Sequence, residues 1–402
     1  MKNLYAAIVL LIFTTSYCQQ LAIRGLVKDA ATNQPVESAS VAVENSGNGS
    51  ITNEEGIFQL TVSNNATIVI SYLGYKTQKI AVTEFKDGTK TILLEQNDEM
   101  IEEIMVTKIP LYQILNEAVN NSKARFNRPI VLNTYYREFS KSDRKYTKFS
   151  DGLLDYHISG NKKKTQSDMI VKQNRSFSLV SETDNENNDE QIGSLLSVQK
   201  GIYNSYDFAI ITKYLIEDEN YENYDFEMKS KKDKSGSEMF TIFFNPKAEV
   251  EKALFKGSVT FDPETKTIFE VEMNFAPSHQ QYAKTVNVLV MRLSVTDVKF
   301  KAVYKLVGNN YMLSYNNRYT KIKAWTKKQS ETIESRSDLL VTNYAKDNLE
   351  YSRKDLFKKK HLYEKPTQYT DKFWQKNNAI VLTAEEERII DALEKATAAT
   401  PN

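Results

Sequence analysis

Between Leu21 and Glu95, apolar side chains recur at every second position. Leu21/Ile23, Ala39/Val41/Val43, Phe58/Leu60/Val62, Ile68/Ile70/Tyr72, Ile80/Val82 and Ile92/Leu94 alternate with polar or small neighbours, which marks strands with one buried face. Turn-forming clusters separate them at Asp29 to Pro35, Asn45 to Ser50, Asn53 to Gly56, Asn64-Asn65 and Lys86 to Gly88. About six or seven short strands without a helical stretch predict a small β-sandwich over residues 19–96. Gly56 precedes Phe58 after two carboxylates, and Gly74 lies between Leu73 and Tyr75. Both suit turn or strand-end positions that call for positive φ.

The period then changes. An acidic and apolar connector, Asp98 to Thr107, leads to Leu111, Ile114, Leu115, Ala118, Val119 and Ser122, which share one helical face and predict a helix ending before Pro129. Residues 97–130 therefore read as a linker plus an amphipathic helix. From Asn133 the period returns to two, with strands at Tyr135 to Phe139, Lys145 to Ser150, Leu153 to Ile158, Ile170 to Ser178, Asp225 to Lys229, Met239 to Phe244, Gly257 to Phe261, Ile268 to Phe275, Val286 to Leu293, Val298 to Leu306 and Tyr311 to Tyr319. Asp262-Pro263-Glu264-Thr265 and Gly308-Asn309-Asn310 supply hairpin turns. Lys162 to Lys164 and Lys231 to Lys234 read as solvated hairpin ends. A mainly β chain follows, with the sandwich ahead of a larger curved antiparallel sheet over 131–325.

Two interruptions stand out in that sheet. Glu182 to Gln191 is polar enough to predict a loop, and Ile192 to Ile216 predicts one or two short helices lying over the strands. A carboxy-terminal extension, 326–402, places the aromatics of Tyr369 to Trp374 in a polar tail. It closes on a helix started by the capping box Thr383-Ala384-Glu385-Glu386 and striped with Ile389, Ile390 and Leu393.

Four motifs occur in order within the first part: Ile23-Arg24-Gly25-Leu26-Val27-Lys28-Asp29, Pro35-Val36-Glu37-Ser38-Ala39-Ser40-Val41, Thr52-Asn53-Glu54-Glu55-Gly56-Ile57-Phe58 and Ile70-Ser71-Tyr72-Leu73-Gly74-Tyr75. This stretch resembles the carboxypeptidase regulatory-like domain, a transthyretin-like sandwich found at the amino ends of TonB-dependent receptors and other secreted envelope proteins of Gram-negative bacteria. Glu55 stands where that family usually has Asp, and Asn33 where a turn Gly is usual. The connector resembles the segment that follows the sandwich in such receptors. The likeness stops at Pro110, and too few residues follow for a receptor barrel. Tyr135-Tyr136-Arg137-Glu138-Phe139, Lys256-Gly257-Ser258-Val259-Thr260-Phe261-Asp262 and Asp371-Lys372-Phe373-Trp374 together resemble an envelope family that carries the same sandwich at its amino end. What the resemblance implies is an accessory module, with no peptidase activity of its own.

Charge and leader narrow the setting. Lys and Arg total 53 against 52 Asp and Glu, so no net field recruits nucleic acid. Met1-Lys2-Asn3, the apolar run Leu4 to Phe13 and Ser16-Tyr17-Cys18 form an export signal over 1–18, cut after Cys18 and too short to span a bilayer of ~30 Å. The alternative is a lipid anchor on Cys18, the chain's single cysteine, although Tyr17 fits that poorly. Cleavage after Cys18 leaves no cysteine for a disulfide or a thiolate metal site. The expected location is the periplasm or the outer membrane, with no transmembrane segment.

Candidate chemistry is sparse. His361 and Glu364 have the H-x-x-E spacing of two zinc ligands, but no third His follows, and His157 and His279 fall on other elements. Neither G-x-S-x-G, nor a Walker A run, nor G-x-G-x-x-G is present, so no catalytic residue, metal or cofactor is expected. With 52 acidic residues in the chain, carboxylate pairs such as Glu54-Glu55, Glu102-Glu103 and Glu270/Glu272 arise anyway and do not single out a hydrolase. The remaining feature is the apolar row Phe269, Val271, Met273 and Phe275, which either lines a cavity for an apolar or lipid ligand, as in half-barrel carriers, or fills a core. The expectation is a non-enzymatic envelope protein whose sandwich contacts a protein or glycan partner. A lipid carrier and a hydrolase with unrecognised carboxylates are the alternatives.

Overall fold

A computed structural model of the chain describes residues 20–72, 74–85, 88–97, 101–179, 197–232, 238–288, 291–347, 350–369 and 380–399. The export signal with Cys18, the polar run Glu182 to Gln191 and the block Asp371 to Trp374 lie outside them.

Alternation in the first part produces two facing sheets. β1 (Gln20–Asp29) pairs antiparallel with β4 (Ile57–Ser63) and parallel with β7 (Thr89–Leu94). β2 (Ser40–Val43), β3 (Gly49–Ile51), β5 (Thr67–Ser71) and β6 (Gln78–Ala81) form the other sheet in the order β3-β2-β5-β6. Their inward residues, among them Ile23, Val27, Val41, Phe58, Leu60, Ile68, Ile70 and Ile92, make one core. Gly56 and Gly74 have φ of +74° and +91°. A Cβ on Gly56 would also lie 2.4 Å from the Val27 carbonyl, so glycine is required there on two counts.

A twelve-stranded sheet follows. Its strands are β8 (Ile101–Ile104), β9 (Ile130–Ser142), β10 (Lys145–Asn161), β11 (Lys164–Ser178), β12 (Tyr224–Lys232), β13 (Glu238–Pro246), β14 (Phe255–Phe261), β15 (Ile268–Phe275), β16 (Thr285–Val288), β17 (Met291–Val307), β18 (Asn310–Trp325) and β19 (Ser330–Ala345). Their order is β11-β10-β9-β19-β18-β17-β15-β14-β13-β12-β8, with β16 on β17. Both predicted hairpin turns join neighbours.

The sheet differs from expectation at both ends. It continues past residue 325: β19, within the stretch read as an extension, sits between β9 and β18. It also begins earlier, because β8, in the stretch read as linker, pairs with β12. Lys145 to Ile158, read as two strands, runs as one with a bulge between Leu153 and Leu154.

The inner face explains why the sheet curls. α1 (Leu111–Arg125) turns Ile114, Leu115, Ala118, Val119 and Ser122 inward, the face its spacing predicts. α2 (Val198–Tyr206), followed by short turns through Ile216, lies over the strands as expected. One apolar cluster joins these helices to residues of β9 through β15 and β17 through β19, so the strands must wrap around the helices to reach it. Rings stack at its centre, with Phe126 at 4.2 Å from Tyr206 and 4.7 Å from Tyr311.

Val271, Met273 and Phe275 belong to this packed cluster, at 1%, 0% and 5% exposure. Phe269 does not share their surroundings. A bulge pairs Phe261 with Ile268 and Thr260 with Glu270, so Ile268 takes the buried place and Phe269 stays half-buried, edge-on to Tyr311 at 6.4 Å. Met273→Asp should therefore unfold the large domain outright, since an unpaired buried carboxylate costs several kcal/mol. Phe269→Ser should cost much less. Thermal unfolding of the two variants checks the contrast, and an equal loss in both would contradict this packing.

Candidate functional site

The outer face of the sheet carries the polar chemistry. Along β9 the odd-numbered residues Val131, Asn133, Tyr135 and Arg137 point outward, while Leu132 and Tyr136 enter the inner core. Two bodies cover this face. The sandwich brings Ile51 against Tyr135, Tyr315 and Leu340. α3 (Ala384–Ala399) packs Ile390 and Leu393 on Phe139, Phe149 and Phe177. The predicted capping box starts this helix: Glu386 N–H donates to Thr383 Oγ1 at 3.1 Å and Thr383 N–H donates to Glu386 Oε2 at 2.9 Å.

Where sandwich, sheet and helix meet, charge is buried. Arg137 on β9 and Asp338 on β19 are direct cross-strand partners, with Arg137 Nε 2.8 Å from Asp338 Oδ2. Arg137 Nη1 also reaches Glu386 Oε2 at 3.1 Å. Arg336, two residues along β19, pairs with Glu386 and, at 2.5 Å, with Glu54 of the sandwich. Tyr315 Oη and Asn317 Nδ2 donate to Asp338 Oδ1 at 2.6 and 2.7 Å.

Burial alone would push Asp338 up. The Arg137 and Arg336 charges and these hydrogen bonds outweigh it and hold the carboxyl below its usual range. Glu37 of the sandwich goes the other way, raised by burial and by the neighbouring Glu54 and Asp338 charges. Asn53 Nδ2 donates to Val381 O at 3.1 Å, and Lys305 Nζ to Gly47 O at 3.2 Å, which completes the seam.

Two clefts open on this face. The first, about 190 Å³, lies within the junction between Glu37, Asn53 and Glu54 of the sandwich and Lys299, Asn317, Tyr319 and Arg336 of the sheet. The second, about 470 Å³, has Val131, Asn133, Asp155, His157, Ile170 and Lys172 for a floor and Glu350, Tyr351, Ser352 and Asp355 for a wall. Neither is lined by Phe269, Val271, Met273 or Phe275.

The residues considered for zinc are spread out. His361 and Glu364 share a single 3-10 turn in which Glu364 accepts the His361 N–H at 2.8 Å. His157 is on β10 and His279 in the turn Pro277–Tyr282. Among the described residues, no group of three or more His, Cys, Asp and Glu is placed to hold a metal. Of the carboxylate pairs, Glu54 joins the junction and Glu270 pairs with Lys301 at 3.4 Å. Arg137 lies within the Tyr135-to-Phe139 block, but its pairing with Asp338 could not be read from the sequence, because the two lie about 200 positions apart and Asp338 belongs to no motif.

The class of the amino-terminal part now follows. Residues 23–106 match the family described as CarboxypepD_reg-like domain, so the sandwich is a domain of that kind. The match runs past β7 and through β8, which here belongs to the large sheet. Over 91 residues the chain is 34% identical to the TonB-dependent receptor SusC of Bacteroides thetaiotaomicron, a stretch that covers 23% of this chain and only 9% of that receptor. Among solved structures, a DUF1329 family protein from Desulfovibrio piger aligns over 60% of this chain and 95% of its own at 8% identity and a TM-score of 0.27. So weak a likeness carries no argument. No helix among the described residues is long and apolar enough to cross a membrane.

Removing the two ends of the charge network should have unequal effects. Arg137→Ala leaves Asp338 buried beside one fewer cation and should cost ~3–5 kcal/mol at neutral pH. Glu54→Ala breaks a pair whose carboxylate is half exposed and should cost less than ~1 kcal/mol. Because the folded state holds Asp338 below its ordinary pKa of ~4, its contribution is present above that range and is lost as pH falls through the lowered value. The Arg137→Ala deficit, followed by denaturant unfolding from pH 7 to acid, should therefore shrink. A deficit independent of pH would contradict this account.

Proposed function

We propose that the protein is a non-enzymatic component of the bacterial cell envelope. In this reading, sandwich and sheet act as one rigid docking body, exported and held in the periplasm or at the outer membrane. The observation that carries it is the sandwich itself: a CarboxypepD_reg-like domain, shared with a TonB-dependent receptor, fixed to the outer face of the sheet by Glu54 and Ile51 and to the segment before α3 by Asn53. The inner face supports the same reading. Its apolar row is packed against α1 and α2 rather than open to a ligand, while two polar clefts open on the outer face.

The setting is testable in cells. Fractionation of a Gram-negative host that makes the native protein should recover it in the periplasmic or outer-membrane fraction, with Gln19 as its first residue by mass spectrometry. A cytoplasmic protein that retains Met1 would overturn the reading. A lipid-modified Cys18 would keep the envelope location and replace the cleaved form with an anchored one.

A further inference from the structure

The larger outer cleft lies away from the junction and is built differently from it. Its floor is the outward face of β9, β10 and β11, where Asn133 is the cross-strand partner of Asp155 and Val131 that of His157. Its wall is the segment carrying Tyr351 and Asp355, which is pinned to the sheet by the bridge from Leu356 to Ile170 and by the Phe357 N–H donated to Met169 O at 2.8 Å. Tyr351 packs against His157 with ring centres 4.1 Å apart and the rings tilted by 44°, and its hydroxyl donates to Asp168. The ring is thus held in place while 37% of the residue remains exposed.

We propose that this cleft binds a neutral sugar ring carried by an oligosaccharide. Its volume, about 470 Å³, falls within the ~300–1,000 Å³ of small-molecule sites. A sugar offers apolar C–H faces and hydroxyls that both donate and accept. The cleft offers the matching surfaces: Val131, Ile170 and the Tyr351 ring for the former, and acceptors and donors side by side for the latter.

Asp155 already accepts from Asn133 Nδ2 at 2.8 Å and faces Lys172 Nζ at 3.8 Å. A simple cation therefore meets a carboxylate that is engaged and a competing ammonium. An anion meets Asp155, Glu350 and Asp355. A purely apolar ligand would leave those groups covered and unpaired, at a cost. A ligand of hydroxyls incurs none of these penalties.

This goes beyond the envelope reading, and the test keeps the two apart. Full-length mature protein is titrated calorimetrically with maltotriose, cellotriose and chitotriose, with trigalacturonate as the acidic arm and spermidine as the cationic one. At least one neutral trisaccharide should bind saturably at millimolar concentration, and more tightly than trigalacturonate. Tyr351→Ala and Asp155→Asn should each weaken it about tenfold, whereas Glu54→Ala, in the other cleft, should leave it unchanged. Thermal unfolding of the two cleft variants should stay close to that of the wild type, because Tyr351 and Asp155 both reach solvent and neither belongs to an apolar core.

Absence of binding by every neutral sugar overturns the proposal. Binding of spermidine alone does the same, and so does sugar binding that survives both cleft substitutions. Chromatography of the sugar after incubation separates the readings: shortened sugar would overturn the non-enzymatic reading and leave the site standing.

Discussion

The large domain depends on one cross-strand ion pair. Arg137 and Asp338 face each other across the seam between β9 and β19, and that seam alone joins the wing of β9, β10 and β11 to the rest of the sheet. From the same pair, contacts extend to the terminal helix through Glu386 and, by way of Arg336, to Glu54 of the sandwich. A buried ion pair adds little stability over an apolar one of equal volume, but it strongly penalises wrong pairings. A one-residue slip of β19 would turn Asp338 to the apolar inner face and leave Arg137 with only Glu386 of its two carboxylate partners. Register, helix docking and sandwich docking are thus fixed by the same few side chains.

Because helices cover the inner face and the sandwich and α3 cover much of the outer one, the central strands have little wet surface. Residues that would be solvated on an ordinary half-exposed sheet become interface residues here. Lys301, for example, lies between Glu270 on its own sheet and the ring of Tyr72 in the sandwich. One polar cleft is left within the junction itself, and the larger one opens away from it beside β9, β10 and β11.

The same covering decides what the sequence reveals. The helix at Leu111–Arg125 and the capping box at Thr383 are legible because both are local, with spacings set by the helix turn. The sandwich is legible because strands such as β4 and β5 alternate buried and partly exposed residues, whereas β3, buried throughout, falls in a stretch that reads as a turn. β19 is not legible: Glu331, Glu334, Arg336 and Asp338 break any apolar alternation, and Ser330–Ala345 reads as a polar tail until β9, about 200 positions earlier, is in place beside it. Phe269 is misplaced by pattern for a different reason, since alternation has no way to foresee the bulge that moves Ile268 into the core. The larger cleft escapes notice because its residues converge from β9, β10, β11 and an irregular segment that has no periodicity of its own.

The position of β19 also has a consequence in time. As the chain is synthesised from its amino end, β9 and β18 each acquire an unpaired edge that only the last strand can close. The sandwich can collapse early on local contacts. The large sheet must wait for residue 345, with two long hydrogen-bonding edges exposed meanwhile. Non-local closure of this kind is slow and leaves pairing edges exposed for longer, so the strand that joins the two halves of the sheet also sets how long those edges stay open.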